Sequence, residues 1–463
     1  MGKESRSFVL TGSSLSCLLV FAFLYAAFFT RNFSPLDSWK HHLWNWGRSS
    51  SHAAEKIDGD MEEREPLRSI LRRLVRGEDR VKLEATGFSC YSDLHSEVCV
   101  TDKPVRINNH TVYVLSDQSS DQFKHSVQPY ARKDDENAMK AVSPVQILHG
   151  KIDPPACHFT HDVPAMVFSS GGFTGNLFHE FNEVIIPLFI TSQHFRSRLQ
   201  FVITDYKPWM VEKYKRILKQ LSAYNAINPA EDGSVHCFPG AVIGLKYHDN
   251  LALNTSDIPG GYSMSDFKHF LRKSYSLTIT TVSEIEHPKP VLILISRRTT
   301  RKFLNEDEMV GLMEDLGFQV IITPPYNMSS LDKFAQVVNS CSVMVGAHGA
   351  GLANSVLLPA GAVMVQVVPL GLDWASAAYY GDPAREMGVQ YLEYKIEAEE
   401  SSLFDLYGRD HPIIADPQSI HLKGYDVARA VYLDGQDMKI NLVRLREILV
   451  QARKLLGNPM SFK

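Results

Sequence analysis

Between Val291 and Val368 the chain alternates apolar runs of strand length with amphipathic segments, and few folds accept that pattern. VLILIS, from Val291 to Ser296, reads as a buried strand. Asn305 and Glu308 form a capping box opening a helix that ends before Gly317, and a strand follows at Gln319 to Thr323. Ser329 caps a helix in which Leu331, Phe334, Val337 and Val338 recur at helical spacing. It leads into a strand at Val343 to Gly346 and, after a short helix, another at Ala362 to Val368. Alternation at this spacing implies a doubly wound parallel sheet, whose ligands bind beyond the carboxyl ends of the strands.

At 463 residues the chain exceeds what one core usually organises, so a second lobe is expected upstream. Strands near Ala165 to Ser169 and Phe201 to Thr204, with helices at Asn176 to Phe189 and Val211 to Leu221, fit an α/β lobe there. A final amphipathic helix carries Leu442, Leu445, Leu449, Ala452 and Leu456 and is expected to pack back across the lobes. With 44% hydrophobic and 22% charged residues and a formal net charge of -4, the chain is globular and offers no cationic excess to nucleic acid.

Phe8 to Phe29 carries no charge, and its 22 residues, as a helix rising about 1.5 Å each, cover a hydrocarbon core of roughly 30 Å. The segment ends in Phe28, Phe29, Thr30 and Arg31 without a small-x-small exit, so a retained anchor is expected over a cleaved signal. Lys3 and Arg6 lie before it, Arg31 and Lys40 after it, which favours a cytosolic N-terminus only slightly. Sequons at Asn32, Asn109, Asn254 and Asn327 suit a luminal body. Cys17 lies in the anchor. Of the other five cysteines, Cys90 and Cys99 are spaced to staple a short loop, Cys157 and Cys237 are candidates for a bridge within the first lobe, and Cys341 sits in an apolar run suited to a buried thiol.

The most specific segment is VGAHGAGLANSVLLP, at a strand's carboxyl end. Gly346, Gly349 and Gly351 let backbone approach a ligand, and N–H groups at the following helix start, around His348, Ala350 and Asn354, suit phosphate oxygens. It is neither a P-loop nor a dinucleotide fingerprint. The strand from Val291 delivers Arg297, Arg298 and Arg301 to the same sheet edge, where guanidiniums can fork onto a diphosphate. No D-x-D lies in either lobe, Asp58 and Asp60 being upstream of both, so no metal site is expected and arginine with the helix dipole would carry the charge. In the first lobe, SSGGFTGNLFHEFNEVIIPLF runs through Gly171 and Gly172 into a helix whose core stripe is Leu177, Phe181, Val184 and Leu188. Asn176, His179 and Glu183 share another face, so His179 and Glu183, at i, i+4, are the candidates for removing a proton, with Glu180 an additional carboxylate. Each feature has a blander counterpart, tight glycine packing or a solvated face, and it is their combination that suggests a site.

Three blocks, GGFTGNLFHEFNEVIIPLFITSQHF from Gly171, ISRRTTRKFLNEDEM from Ile295 and VGAHGAGLANSVLLPAGAVMVQVVP from Val345, resemble glycosyltransferase family 61, most closely its plant xylan arabinosyltransferases and xylosyltransferases. With GDPAREMGVQYLEY from Gly381, the resemblance covers the region after residue 85. It implies two Rossmann-like lobes of the GT-B type and metal-independent inverting transfer of a pentose from UDP-arabinofuranose or UDP-xylose to xylan. It also implies residence in the Golgi as a type II membrane protein, and association with other xylan-synthesising enzymes. The expected organisation is a cytosolic tail (1–7), a signal anchor (8–29), a stem (30–85), an acceptor-side lobe (86–272), a nucleotide-sugar lobe (273–435) and the C-terminal helix (436–463). Arg297, Arg298, Arg301 and the Gly346 to Asn354 turn would hold UDP, while Gly171, Gly172, Asn176, His179, Glu180 and Glu183 would face sugar and acceptor; Tyr379, Tyr380, Asp382 and Arg385 are further candidates for the donor pocket. Relatives acting on N-glycans or adding N-acetylglucosamine to protein, and a non-catalytic glycan-binding scaffold, are the alternatives.

Overall fold

The computed structural model describes residues 65–115, 123–150, 153–231, 233–323 and 331–457. The expected anchor and the sequons at Asn32 and Asn327, with the capping Ser329, lie outside these residues. Among the described residues no helix is long and apolar enough to cross a membrane. One compact unit starts at Glu65. Helices Leu67–Leu74 and Gly77–Thr86, expected in the stem, therefore belong to the body, because Leu71 and Leu83 are fully buried in its core.

The first half carries β1 (Phe88–Ser92), β2 (Glu97–Thr101), β3 (Val105–Asn108), β4 (Thr111–Leu115), β5 (Phe123–Val127) and β6 (Val145–Gly150). It continues with β7 (Phe159–Thr160), β8 (Ala165–Ser169), β9 (Gln200–Thr204), β10 (His236–Phe238) and β11 (Ala241–Ile243). The second half carries β12 (Val291–Ile295), β13 (Gln319–Thr323), β14 (Val343–Ala347), β15 (Val363–Val368) and β16 (Gln390–Lys395).

The C-terminal sheet is wholly parallel in the order β13-β12-β14-β15-β16, the doubly wound arrangement expected, with a switch point between β12 and β14. Successive side chains alternate between faces: Leu292, Leu294, Val343 and Val345 join one cluster, Ile293, Ile295 and Met344 the other, so both faces are covered. Helix Leu442–Leu456 buries Leu445, Leu449 and Ala452 in a cluster drawn entirely from the C-terminal half. It closes one face of that sheet where a return across both lobes was expected.

The N-terminal half departs from a Rossmann-like lobe. Its first sheet runs β1-β2-β11-β8-β9, with β11, β8 and β9 parallel. Met166, Phe168, Phe201 and Ile203 pack towards helices, whereas Ala165, Val167 and Val202 pack against Val105, Ile107, Val112 and Ile147 of a second sheet, β5-β6-β4-β3-β10-β7. One face of the lobe is thus covered by strands instead of helices. Disulfides join Cys90 to Cys99, the pair spaced for a short staple, and Cys157 to Cys237, the candidate bridge, and Cys341 in its apolar run is a buried free thiol. Burial pushes that thiol up to about 12, so it stays protonated and inert.

Two helix details differ from expectation. The Asn305 side chain does not cap helix Glu306–Asp315; its Nδ2 donates to the Ile440 carbonyl and its Oδ1 accepts from Ile440 N, fastening the C-terminal segment, and it reaches Glu308 only with Nδ2. The helix after β8 is not uniformly α: Leu177–His179 passes through a π-helical turn, Glu180–Ile185, into Ile186–Ser192.

Candidate active site

Ser169 Oγ donates to Asp205 Oδ2 (2.5 Å) and Ser170 Oγ to the Asp205 carbonyl (2.7 Å), pinning the exit of β8. At Gly171 a Cβ would lie 2.1 Å from the Ala141 carbonyl oxygen. At Gly172, with φ +56°, it would strike the Tyr130 ring at 2.2 Å. Both glycines serve close packing, and neither lines the cleft described below. Asn176 does line it, while its side chain caps the helix by accepting from Phe178 N (3.1 Å).

His179 faces the cleft, flanked by the rings of Phe173 and Phe178, with Nδ1 2.5 Å from Glu183 Oε1. Glu183 is fully buried and also accepts from Tyr130 Oη (2.5 Å) and Arg132 Nη1 (2.8 Å). It has no cleft surface, so of the two candidates His179 alone is placed to touch a substrate, through Nε2. Glu180 is turned into the core, where it takes Lys213 Nζ (2.5 Å), the Tyr214 hydroxyl (2.5 Å) and Gly175 N (3.0 Å). It holds the glycine turn and meets no ligand. The expected helix Val211 to Leu221 is broken at Tyr214, whose side chain makes that bond.

The opposite wall is the sheet's switch point. Arg301, buried and in the left-handed region (φ +54°), donates through Nη1 to the His348 carbonyl (3.1 Å). Arg297 Nε donates to the Thr300 carbonyl (2.7 Å). Gly349, with φ +141°, lies beneath both, and a Cβ there would sit 2.7 Å from Arg297 Nη1 and 3.3 Å from Arg301 Nη1. Burial, with Arg297 alongside, brings Arg301 down to about 10, and burial lowers Arg297 as well. The hydrogen-bond partners of these two guanidiniums are neutral oxygens, and Arg301 Nε is buried without a partner among the described residues. A buried cation beside a half-buried one, neither bonded to a carboxylate, carries a desolvation cost that an anion would offset. A backbone held in the left-handed region beside them is a local strain of the kind found at binding sites.

His348 has Nδ1 held by Gln366 Nε2 (2.9 Å) and Ser376 Oγ (3.2 Å). Burial and the two arginines push it down to about 3, so the ring is neutral. With Gln366 donating to Nδ1, its proton sits on Nε2, available to an oxygen in the cleft. Ala350 also lines the cleft, but Gly346 packs on Ile295 and Leu352, and Asn354 is buried with Nδ2 on the Gly351 carbonyl. The segment after Gly349, Ala350–Leu357, is a 3-10 helix, and Arg298 is exposed and away from the cleft. Of the residues expected at the donor site, Arg297, Arg298, Gly346, Gly351 and Asn354 therefore lie outside the cleft wall, Arg297 standing behind Gly349.

The two walls share one cleft of about 890 Å³, which Asn176, His179, Arg301, His348, Gly349 and Ala350 all line. Tyr379 and Tyr380 line it too, whereas Asp382 and Arg385 pair with each other at the surface (2.7 Å). Arg132, Trp374, Tyr425 and Arg429 are lining residues that the sequence reading passed over. Arg132 stood in a charged run that resembles solvated surface, and Tyr425 and Arg429 in short helices without a clear period. Of the carboxylates in the lining, Asp135 and Asp434 are paired with Arg132 and Arg429. Among the described residues one group of three ligand atoms is close enough to hold a metal, Cys90, Cys99 and His125, and both of its cysteines are consumed by a disulfide.

Paired guanidiniums on one wall and a carboxylate-oriented imidazole on the other form an arrangement that can serve transfer of a group from an anionic leaving group. Comparison with known proteins gives the family. Residues 157–365 match the family described as Glycosyltransferase 61. The chain is 41% identical over 81% of its length to the alpha-1,3-arabinosyltransferase XAT3 of Oryza sativa subsp. japonica, of which the match spans 66%. It is 34% identical to the xylan glycosyltransferase MUCI21 of Arabidopsis thaliana, over 81% of this chain and 79% of that one. To the beta-1,2-xylosyltransferase XYXT1 of Oryza sativa subsp. japonica it is 36% identical, over 79% and 83%. The chain belongs to glycosyltransferase family 61.

Proposed function

We propose that this protein is an inverting glycosyltransferase that moves arabinofuranose or xylose from a UDP-sugar to xylan. The observation that carries the reading is the shared cleft, with Arg301 and His348 on one wall facing His179, backed by Glu183, on the other. His179 Nε2 takes the proton of the acceptor hydroxyl while that oxygen attacks the anomeric carbon from the side opposite the diphosphate. The bond from that carbon to the diphosphate oxygen breaks, and UDP leaves as the anion. Glu183 stabilises the imidazolium that forms, and Arg301 and His348 Nε2–H receive the negative charge of the departing diphosphate, with the Arg297 guanidinium adding its field from behind Gly349.

The pentose and the xylan acceptor are supported by the named activities of the relatives. Metal independence rests on the arginine pair, and the GT-B reading on the doubly wound C-terminal sheet with its ligand cleft at the switch point. Residence in the Golgi as a type II membrane protein is the reading of residues 8–29, and a luminal body suits Asn109 and Asn254, both exposed. Detergent-solubilised protein is expected to transfer pentose from UDP-arabinofuranose or UDP-xylose to xylo-oligosaccharides, and to retain that activity in EDTA. Failure with every pentose donor overturns the proposal, and activity restored only by a divalent cation overturns metal independence.

A further inference from the structure

We propose that Tyr130 and Arg132, both carried by the segment after β5, are positioning residues that set the orientation and charge of the His179–Glu183 couple and join it to the glycine turn. The inference rests on His179 being the proton acceptor. Glu183 is a fully buried carboxylate, and each of its oxygens is occupied: Oε2 by Tyr130, Oε1 by Arg132 and His179 together. Without Arg132 the helix would bury an uncompensated negative charge beside the imidazole, an arrangement whose desolvation cost is large. With Arg132 in place the pair is neutral overall, and the carboxylate is free to orient the ring through Nδ1.

Tyr130 adds a second link. Its ring occupies the space that a side chain at Gly172 would need, and its hydroxyl accepts from Phe173 N (3.2 Å) while donating to Glu183. One oxygen therefore touches both the cleft-lining turn and the carboxylate behind His179. Burial and Glu183 hold the phenol well above its ordinary value, so it remains a donor. Arg132 is itself in the cleft wall and bonds Asp135, which caps the next helix, Glu136–Met139, so the guanidinium is fixed from both sides. The other titratable groups around the couple are Tyr247, from the loop after β11, and Tyr379, from the C-terminal half.

Steady-state kinetics on the solubilised full chain test this with Arg132→Met, Arg132→Lys and Tyr130→Phe, alongside melting temperatures and His179→Ala. Arg132→Met is expected to lower kcat roughly 10- to 100-fold, less than the roughly 100- to 10,000-fold a general base contributes because the base itself remains, with donor KM within about threefold of the parent. The acidic limb of its kcat profile should move to higher pH, because the uncompensated carboxylate holds a proton on the couple more strongly. Arg132→Lys should recover part of the rate. Tyr130→Phe removes one oxygen while leaving the ring over Gly172, and should lower kcat about fivefold to tenfold; it carries the test if Arg132→Met does not fold. Parental kcat and pH profile in both variants, or losses that follow melting temperature alone, would overturn the inference. An active His179→Ala variant would instead overturn the reading of His179, a separate failure.

Discussion

Arg297, Arg298 and Arg301 leave the same strand, yet only Arg301 lines the cleft and Arg298 faces solvent. Arg301→Met should therefore weaken UDP binding by about 30- to 100-fold, the loss of a charge-assisted contact worth roughly 2–3 kcal/mol. Arg298→Met should stay within about twofold, and titration calorimetry with UDP reads both; equal losses would show that the cradle is misplaced. Residue type at a strand end was legible because it depends only on local periodicity. The i, i+4 spacing of His179 and Glu183 was legible for the same reason, and their 2.5 Å contact forms although the helix passes through a π turn. Which of the two meets substrate was not legible, since the burial of Glu183 is decided by Tyr130 and Arg132, residues about 50 positions away.

The π turn Glu180–Ile185 buries every one of its residues, including Glu180, Asn182 and Glu183. An added residue per turn rotates polar side chains inward, where Asn182 accepts from Leu251 N (2.8 Å) and Glu180 takes Lys213. The glycine turns show the same dependence on neighbours. Gly349→Ala has to leave a left-handed conformation beneath two guanidiniums, so it should cost on the order of 1–3 kcal/mol in stability and weaken UDP binding. Gly172→Ala should cost a similar amount through the Tyr130 ring while leaving UDP affinity near parental. Denaturation curves and UDP titration on both variants separate the two effects; an unaltered Gly349→Ala would remove the packing argument. The second N-terminal sheet was illegible because its strands are short and partly polar, as in FKHSV of β5, and are paired by distant partners.

Across the whole molecule, one core cluster runs from Phe181 and Phe267 to Leu352 and Val356, so the two halves are packed together behind the cleft. Lys268, on helix Met264–Tyr275, is buried in this region and donates to the Met387 carbonyl (2.9 Å). Burial, with Arg272 nearby, lowers it from 10.5 to about 7. Between those values the unfolded chain binds more protons than the folded one, so stability rises with pH across that window, and the cost of Lys268 is complete below about 7. Lys268→Met should raise stability at pH 7 by about 1–3 kcal/mol and flatten the dependence from pH 7 to 10. Denaturant titrations across that range check it, and an unchanged slope would refute it.

The parallel C-terminal sheet, the arginines at its edge and the polar helix face opposite are all written in local order, because strand and helix periods depend on near neighbours alone. Only tertiary packing decided that one face of the first lobe is covered by strands, that Glu183 lies behind His179, and that two guanidiniums sit unneutralised over Gly349. Those features depend on which distant groups exclude water from a given atom, and that exclusion exists only once the chain has closed on itself.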